Sequence, residues 1–253
     1  MPETLNQALA TPGLVWLIFA IGLAGIVRGF SGFGTALIFV PVANIFLEPK
    51  TVVAVIALTG IACNAVVLPR AWHQGSRGEV GRLVVAALLT VPVGLWLLDV
   101  LDKTTVRWFV TFVAGGMLAA LVSGWRFSGV VSKPMLFVIG AAAGLVGGMT
   151  GLTGPVVILF YLAGQAVAQS VRANTILFLA ALDVVILTTL FVKGDVTLYI
   201  VLMATILSVP YAATTMLGQS LFDPRHERLY RWAAYGVIAL AVVSGLPVWN
   251  NGA

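Results

Sequence analysis

The sequence predicts an all-α polytopic membrane protein. Only 9% of the 253 residues are charged, where soluble domains carry about 25%. Hydrophobic residues make up 60% of the chain, and the mean hydropathy is +1.05. A soluble fold of this size could not cover its surface with so few charges. The apolar runs are long and continuous and do not alternate with a period of two, which favours transmembrane helices over strands.

The apolar runs form two similar sets, each made of one broken segment and three helices. The first repeat is predicted to cover residues 1–126 and the second residues 127–253. The breaks are glycine-rich and lie at Arg28–Gly34 and Gly147–Pro155. Beside the first break each arm has about 14 apolar residues, fewer than the roughly 20 that a full crossing needs. The predicted elements are segment 13–47 with helices 51–68, 83–98 and 106–124, and segment 134–163 with helices 173–192, 196–217 and 232–248.

The two halves resemble each other in sequence. Ala24–Gly32 matches Ala143–Gly151 at an offset of 119 (143 − 24), with five identical residues among nine. The same offset places Asn64 opposite Asp183. A Val-Pro pair and an Asp/Arg pair recur at nearly the same offset. These matches predict a tandem duplication rather than a coincidence among glycines.

The basic residues indicate how the halves are oriented. If each broken segment crosses an even number of times, as a re-entrant hairpin does, nine basic residues fall inside and four outside. Cytoplasmic loops carry the excess of Lys and Arg, so this arrangement is favoured over a single crossing. Three full crossings per half then invert the second half, and both termini lie outside, in the periplasm. The inside set is Arg70, Arg77, Arg82, Arg126, Lys133, Arg172, Arg225, Arg228 and Arg231; the outside set is Lys50, Lys103, Arg107 and Lys193.

The two breaks are the candidate binding site. Non-helical backbone at membrane depth is tolerated only where protein or a polar cavity surrounds it. Helix ends at such breaks offer free N–H groups, glycines allow close approach of a ligand, and hydroxyls add donors, all of which suits an anion. The alternative is close helix packing through glycines spaced four apart. The candidate residues are Gly29, Ser31, Gly32, Phe33 and Gly34 in the first break, and Gly148, Thr150, Gly151, Thr153 and Gly154 in the second.

Two charged residues lie deep in apolar sequence. Arg28 stands at the first break, where its guanidinium suits bidentate binding of carboxylate, sulfonate or phosphate oxygens. Asp183 lies in the middle of its span and is the candidate for binding a coupling H⁺ or Na⁺. Asn64 is its neutral equivalent and is assigned to the binding site. The alternatives are snorkelling or a structural ion pair for Arg28, a salt bridge from Asp183 to Arg28, and interhelical hydrogen bonding for Asn64.

The motifs Gly29–Gly34 through Pro41 and Gly148–Pro155 resemble the paired glycine-rich motifs of the sulfite exporter TauE/SafE family, also called the 4-toluene sulfonate uptake permease family. The resemblance covers nearly the whole chain, including the duplication. It implies transport of sulfur-containing or organic anions, such as sulfite, sulfoacetate or other sulfonates, across the bacterial inner membrane. Both uptake and export remain open.

We therefore expect a secondary active transporter that works by alternating access, with an anion channel as the alternative. The sequence has no nucleotide-binding motif, so the energy would come from an ion gradient or the substrate gradient. An enzyme is not expected, because the single cysteine, Cys63, and the two histidines, His73 and His226, form no cluster. No cofactor is expected beyond the coupling ion. The expected partners are the substrate anion and the lipid bilayer, with no nucleic acid, and so small a chain is compatible with a homodimer.

Overall fold

The computed structural model describes residues 2–31, 34–124, 132–154, 156–157, 168–221, 225 and 227–249. Regular structure in these residues is helical throughout, which confirms the all-α class. The helices are α1 (Pro2–Leu9), α2 (Leu14–Ser31), α3 (Thr35–Phe46), α4 (Pro49–Gln74), α5 (Arg77–Val100), α6 (Lys103–Val122), α7 (Lys133–Thr150), α8 (Ala168–Val192), α9 (Leu198–Ser220) and α10 (Glu227–Gly245), followed by a 3-10 turn at Pro247–Trp249.

Most helices extend beyond the predicted apolar ranges. α4 continues to Gln74 and α5 begins at Arg77, so the basic residues that were predicted to lie in a loop, Arg70, Arg77 and Arg82, belong to these helices. Hydropathy marks the apolar part of a helix, whereas the backbone hydrogen bonds continue into its polar ends. The breaks are correspondingly shorter than predicted, because α2 remains helical through Ser31 and α7 through Thr150.

By length and composition, five helices of the described chain can cross a membrane: α5, α6, α7, α9 and residues Ala173–Val192 of α8. The bent pair formed by α1 and α2 would make a sixth span. α2 has 18 residues, of which the last four, Arg28–Ser31, belong to the predicted break, and α3 has 12. The fold is that of a multi-pass membrane protein.

The helices of the two sequence halves interlock. α2 packs on α9, and α7 packs on α5, so each broken segment lies against a helix of the other half. A methyl group on Gly29 would lie 2.7 Å from the Cα of Gly218, and one on Gly148 would lie 2.7 Å from the carbonyl oxygen of Val91. Glycine is required at both crossings because the backbones are in contact. These glycine faces therefore have the packing role that the sequence left open, and the division into repeats stays a prediction.

Ion pairs tie several helix ends together at one end of the bundle. Lys50 pairs with Asp99 and with Asp195 (3.2 Å), and Lys193 pairs with Asp99 (3.0 Å). These contacts place the start of α4, the end of α5 and the α8–α9 connection side by side. If the second broken segment crosses the membrane an even number of times, Lys50 and Lys193 must lie on the same side of it. Which face of the membrane this end occupies stays a prediction.

Candidate functional site

A cavity of about 50 Å³ lies where the two breaks face each other. A buried water needs roughly 10–15 Å³ of such space, so the cavity has room for a few waters or one small oxyanion. Its wall includes residues from α2, α3, α4, α8 and α9 and from the segment that follows α7. The polar and glycine residues of the wall are Arg28, Gly34, Thr35, Thr59, Gly60, Asn64, Thr153, Gly154, Asp183 and Tyr211.

Arg28 lies in the last turn of α2 and is half-buried. Its Nη2 donates a hydrogen bond of 2.6 Å to Oδ1 of Asn64, which is 2% exposed. Its Cζ lies 5.9 Å from the centre of the Tyr211 ring. A cation at the C-terminal end of a helix is favoured by the helix dipole, and the aromatic ring adds a cation–π attraction. Arg28 is thus held in place by two neutral side chains.

Tyr211 connects α9 to the first residue of α3. Its hydroxyl lies 2.8 Å from Oγ1 of Thr35, and its side chain is 1% exposed. Neither residue was predicted as part of the site. The available signal was a tyrosine in the middle of the predicted span 196–217, directly after Pro210, where a phenolic hydroxyl needs a hydrogen-bonding partner.

The first break places the N-terminus of α3 beside Arg28. Gly34 has a φ of 98°, which only glycine adopts readily, and it makes no side-chain cap for the helix. The first N–H groups of a helix have no partner within the helix and form an anion-binding end. Gly34, Thr35 and Ala36 line the cavity, so this end and the Arg28 guanidinium act on the same space.

Asp183 reaches the cavity from α8 and is 6% exposed. It lies against Gly60 of α4, where any side chain would collide with its carboxylate oxygen Oδ2. Within the described residues, no ion pair joins Asp183 to Arg28. Arg28 is nevertheless near enough to act on Asp183 electrostatically. The alternative of a salt bridge between Asp183 and Arg28 is therefore not formed in this structure, and Arg28 bonds to Asn64 instead.

At the second break, hydrogen bonds between neighbouring residues close the C-terminal end of α7. The Thr150 hydroxyl donates to the carbonyl oxygen of Val146 (2.6 Å) and accepts from the N–H of Leu152 (3.1 Å). Gly151 has a φ of 76°, and its N–H donates to the carbonyl oxygen of Gly147 (2.8 Å). Thr150 and Gly151 thus close the end of α7, and the next residues of the break line the cavity.

The structure brings together about half of the predicted site residues. Those that line the cavity are Arg28, Gly34, Asn64, Thr153, Gly154 and Asp183. Gly29 and Gly148 lie instead at helix crossings, and Thr150 and Gly151 close α7. Gly32 and Phe33 lie outside the described residues, as does the side chain of Ser31. The lining residues that were not predicted are Thr35, Thr59, Gly60 and Tyr211 and the apolar residues Ala36, Leu37, Ile56 and Leu179.

A multi-pass helical fold with charged and polar side chains around a cavity between two glycine-rich breaks is typical of membrane transporters. The sequence profile of the family described as "Sulfite exporter TauE/SafE" matches residues 17–245. The chain belongs to this family, whose members are membrane transporters. No curated protein and no solved structure matches the chain.

Proposed function

We propose that the protein is a secondary active transporter of small sulfur-containing or organic anions, of which sulfite, sulfoacetate and other sulfonates are the candidates. It would act in the bacterial inner membrane by alternating access, with both termini in the periplasm. The observation that carries the proposal is Arg28, which is held at the edge of a small cavity between the two breaks. Membership of the sulfite exporter family supports the same class of substrate.

The proposed binding mode uses fixed donors. The planar guanidinium of Arg28 binds two oxygens of the anion, and the N–H groups at the start of α3 face the remaining charge. The side chains of Thr35 and Tyr211 are tied to each other and keep this end of α3 close to Arg28. A cavity of about 50 Å³ fits sulfite or a sulfonate head group. A longer tail would require the cavity to open.

Alternating access would use the contacts at the two ends of the bundle. One end is tied by Lys50, Asp99 and Lys193. At the other end Asn174 of α8 accepts a hydrogen bond from the backbone N–H of Ser76 (2.6 Å), so it holds the start of α5. Opening one end while the other stays tied would expose the cavity to one side of the membrane at a time. Asp183 is the proposed site of the coupling H⁺ or Na⁺.

The test is transport by the purified full-length protein in proteoliposomes. Labelled sulfite and sulfoacetate should accumulate, each should inhibit uptake of the other, and preloaded substrate should accelerate uptake by counterflow. Arg28→Gln should abolish binding and uptake. Thr189→Val is the matched control, because this hydroxyl donates only to its own helix, at the carbonyl oxygen of Val185, and does not line the cavity. Transport of carboxylates without competition from any sulfur oxyanion would overturn the substrate class, and anion currents without counterflow would indicate a channel.

The proposed topology has its own test. In a Cys63→Ser background, a cysteine placed at Asn251 should react with a membrane-impermeant thiol reagent applied to intact cells from the periplasmic side. Labelling only after permeabilisation would overturn the proposed location of the C-terminus.

A further inference from the structure

The charge of the cavity depends on a single proton. Among the described residues that line it, only Arg28 and Asp183 carry formal charges. With Asp183 ionised the two charges cancel, and a bound monoanion would leave an uncompensated negative charge in a space of low dielectric. With Asp183 protonated the lining carries one positive charge, which a monoanion neutralises. Uncompensated buried charge is strongly unfavourable, so the two protonation states of Asp183 must differ in anion affinity.

We propose that the Asp183 carboxylate and the substrate anion compete for Arg28, so that the anion binds when Asp183 carries a proton. One proton then moves together with each monoanion. This inference rests on the proposed function and adds the identity of the coupling ion and the way it acts. The step breaks no covalent bond: Asp183 takes a proton from water on the side where the anion binds and returns it on the side where the anion leaves.

The arrangement of Arg28 fits this exchange. The guanidinium is bonded to Asn64, whose amide is neutral and leaves the positive charge available to a ligand. The carboxylate of Asp183 lines the same cavity and acts on Arg28 electrostatically without an ion pair in this structure. Arg28 can therefore be shared by two anionic groups, of which one is the substrate. Gly60 provides the space that Asp183 occupies beside α4.

Other titratable groups do not account for such a switch. The groups that approach this part of the cavity from the neighbouring helices are Arg28 of α2, Tyr211 of α9 and Cys63 of α4. α5 and α7 also pack against α8. In the described residues, the charged side chains of these two helices lie at their ends: Arg77, Glu79, Arg82, Asp99 and Lys133. Asp183 is thus the acid through which a proton would control Arg28.

We take H⁺ rather than Na⁺ as the coupling ion because a proton needs one carboxylate only. Sodium needs several oxygen ligands around it, as the hard cations of proteins do. Of the described oxygens that line the cavity, those of Thr35 and Tyr211 are bonded to each other and the amide oxygen of Asn64 accepts from Arg28.

The first experiment measures binding of sulfite and of methanesulfonate to the purified full-length protein by titration calorimetry between pH 5.5 and 8.5. Sulfite itself titrates in this range. Asp183→Asn is therefore the reference, because the pH dependence of its sulfite affinity comes from the ligand alone. Relative to Asp183→Asn, the wild-type affinity should fall by about tenfold for each pH unit above the titration of Asp183. Methanesulfonate keeps its charge, so Asp183→Asn should bind it equally at all pH values.

A second variant makes the result independent of whether Asp183→Asn folds. Asn64→Asp adds another acid beside Arg28, so anion binding should then require two protons and fall by up to about a hundredfold per pH unit. Equal pH dependence in wild type and Asn64→Asp would overturn the inference and leave the proposed function intact, provided that Arg28→Gln abolishes binding. Failure of both anions to bind the wild type at every pH would overturn both proposals.

The second experiment measures transport in proteoliposomes. A pH gradient should drive uptake of methanesulfonate by the wild type, and a membrane potential alone should not, because a proton and a monoanion together carry no net charge. Uptake by Asp183→Asn should no longer respond to the pH gradient. Dependence on a Na⁺ gradient, or uptake driven by the membrane potential, would overturn the inference.

Discussion

The two breaks share a backbone arrangement and differ in chemistry. In each, a helix ends at a glycine-rich turn after packing through glycines on a helix of the other half, with Gly29 against α9 and Gly148 against α5. At the first break Arg28 projects into the cavity. The position 119 residues later is Gly147, which packs near Thr153 and Leu182. The second break therefore contributes backbone and a hydroxyl to the cavity, and the first contributes the cation.

The two predicted repeats thus agree in how their helices pack and differ in the side chains beside the cavity. Packing at the crossings depends on small residues that both halves keep. The proposed ligand chemistry depends on Arg28 and Thr35 of the first half, where the second half has Gly147 and Gly154, and on Tyr211 of the second half, where the first half has Val93. Asn64 and Asp183 also occupy equivalent positions in the two halves and differ in chemistry, because only Asp183 can change its charge.

The largest effect is expected at the shared glycines. Gly29→Ala and Gly148→Ala should each destabilise the protein by about 3 kcal/mol, at the upper end of overpacking effects, because the added methyl would meet backbone atoms. Thermal unfolding in detergent and the yield of monodisperse protein measure this. The control is Gly116→Ala in α6, where a methyl would meet nothing within 4 Å and stability should be kept. A large loss at one crossing only would contradict the equivalence of the two breaks.

The next effect tests the group that only the first break has. Arg28→Lys keeps the positive charge and loses the planar pair of donors, so substrate affinity should fall by about 10- to 100-fold while the fold is kept. Binding of sulfite by calorimetry measures the loss, and an unchanged unfolding temperature controls for structure. Unchanged affinity would mean that charge alone is recognised and would weaken the assignment of bidentate binding.

A smaller effect is expected when the hydrogen bond between Tyr211 and Thr35, beside Arg28, is removed. Tyr211→Phe keeps the ring beside the guanidinium and removes the hydrogen bond to Thr35. A net hydrogen bond contributes about 1 kcal/mol, so affinity should fall by roughly fivefold. Thr35→Val should have a similar effect, and the double variant should be no worse than either single one. Additive losses would show that the two hydroxyls act separately on the ligand.

The smallest effect concerns a helix start. Asp102 precedes α6, and hydrogen bonds from the hydroxyl (2.6 Å) and the backbone N–H (2.9 Å) of Thr105 hold the pKa of Asp102 below its ordinary value. Because the folded pKa is lowered, this stabilisation is complete above the unfolded pKa of about 3.9 and is lost as the pH falls through the folded pKa.

The unfolding temperature of wild type should therefore fall slightly more than that of Asp102→Ala on acidification from pH 5 to pH 3. Asp223 stands near the corresponding place in the second half of the sequence. If Asp223→Ala also makes the unfolding temperature less sensitive to acidification, the comparison of the halves extends to the ends of their helices. Equal changes in unfolding temperature for wild type and Asp102→Ala would contradict the capping role of Asp102.

The sequence by itself was sufficient for the class, the breaks and the charges. Composition excluded a soluble fold because so few charged residues cannot cover a surface. The breaks were visible because glycine and proline interrupt apolar runs. Arg28, Asn64 and Asp183 were identified because polar groups in a membrane span are costly and need a reason. The confirmed parts are the helical class and the family, and the roles of these residues stay proposals.

Only the tertiary structure decided which of these residues meet. It places Arg28 on Asn64 rather than on Asp183, and it brings Tyr211 and Thr35, which are 176 residues apart, into contact. It also assigns Gly29 and Gly148 to helix crossings, because a glycine in sequence is equally compatible with close packing and with ligand approach. Spacing along one helix identifies a shared face, whereas partners from distant helices are determined by how those helices pack. The sequence could therefore indicate the charges of the site, and the packing of the two halves determined their partners.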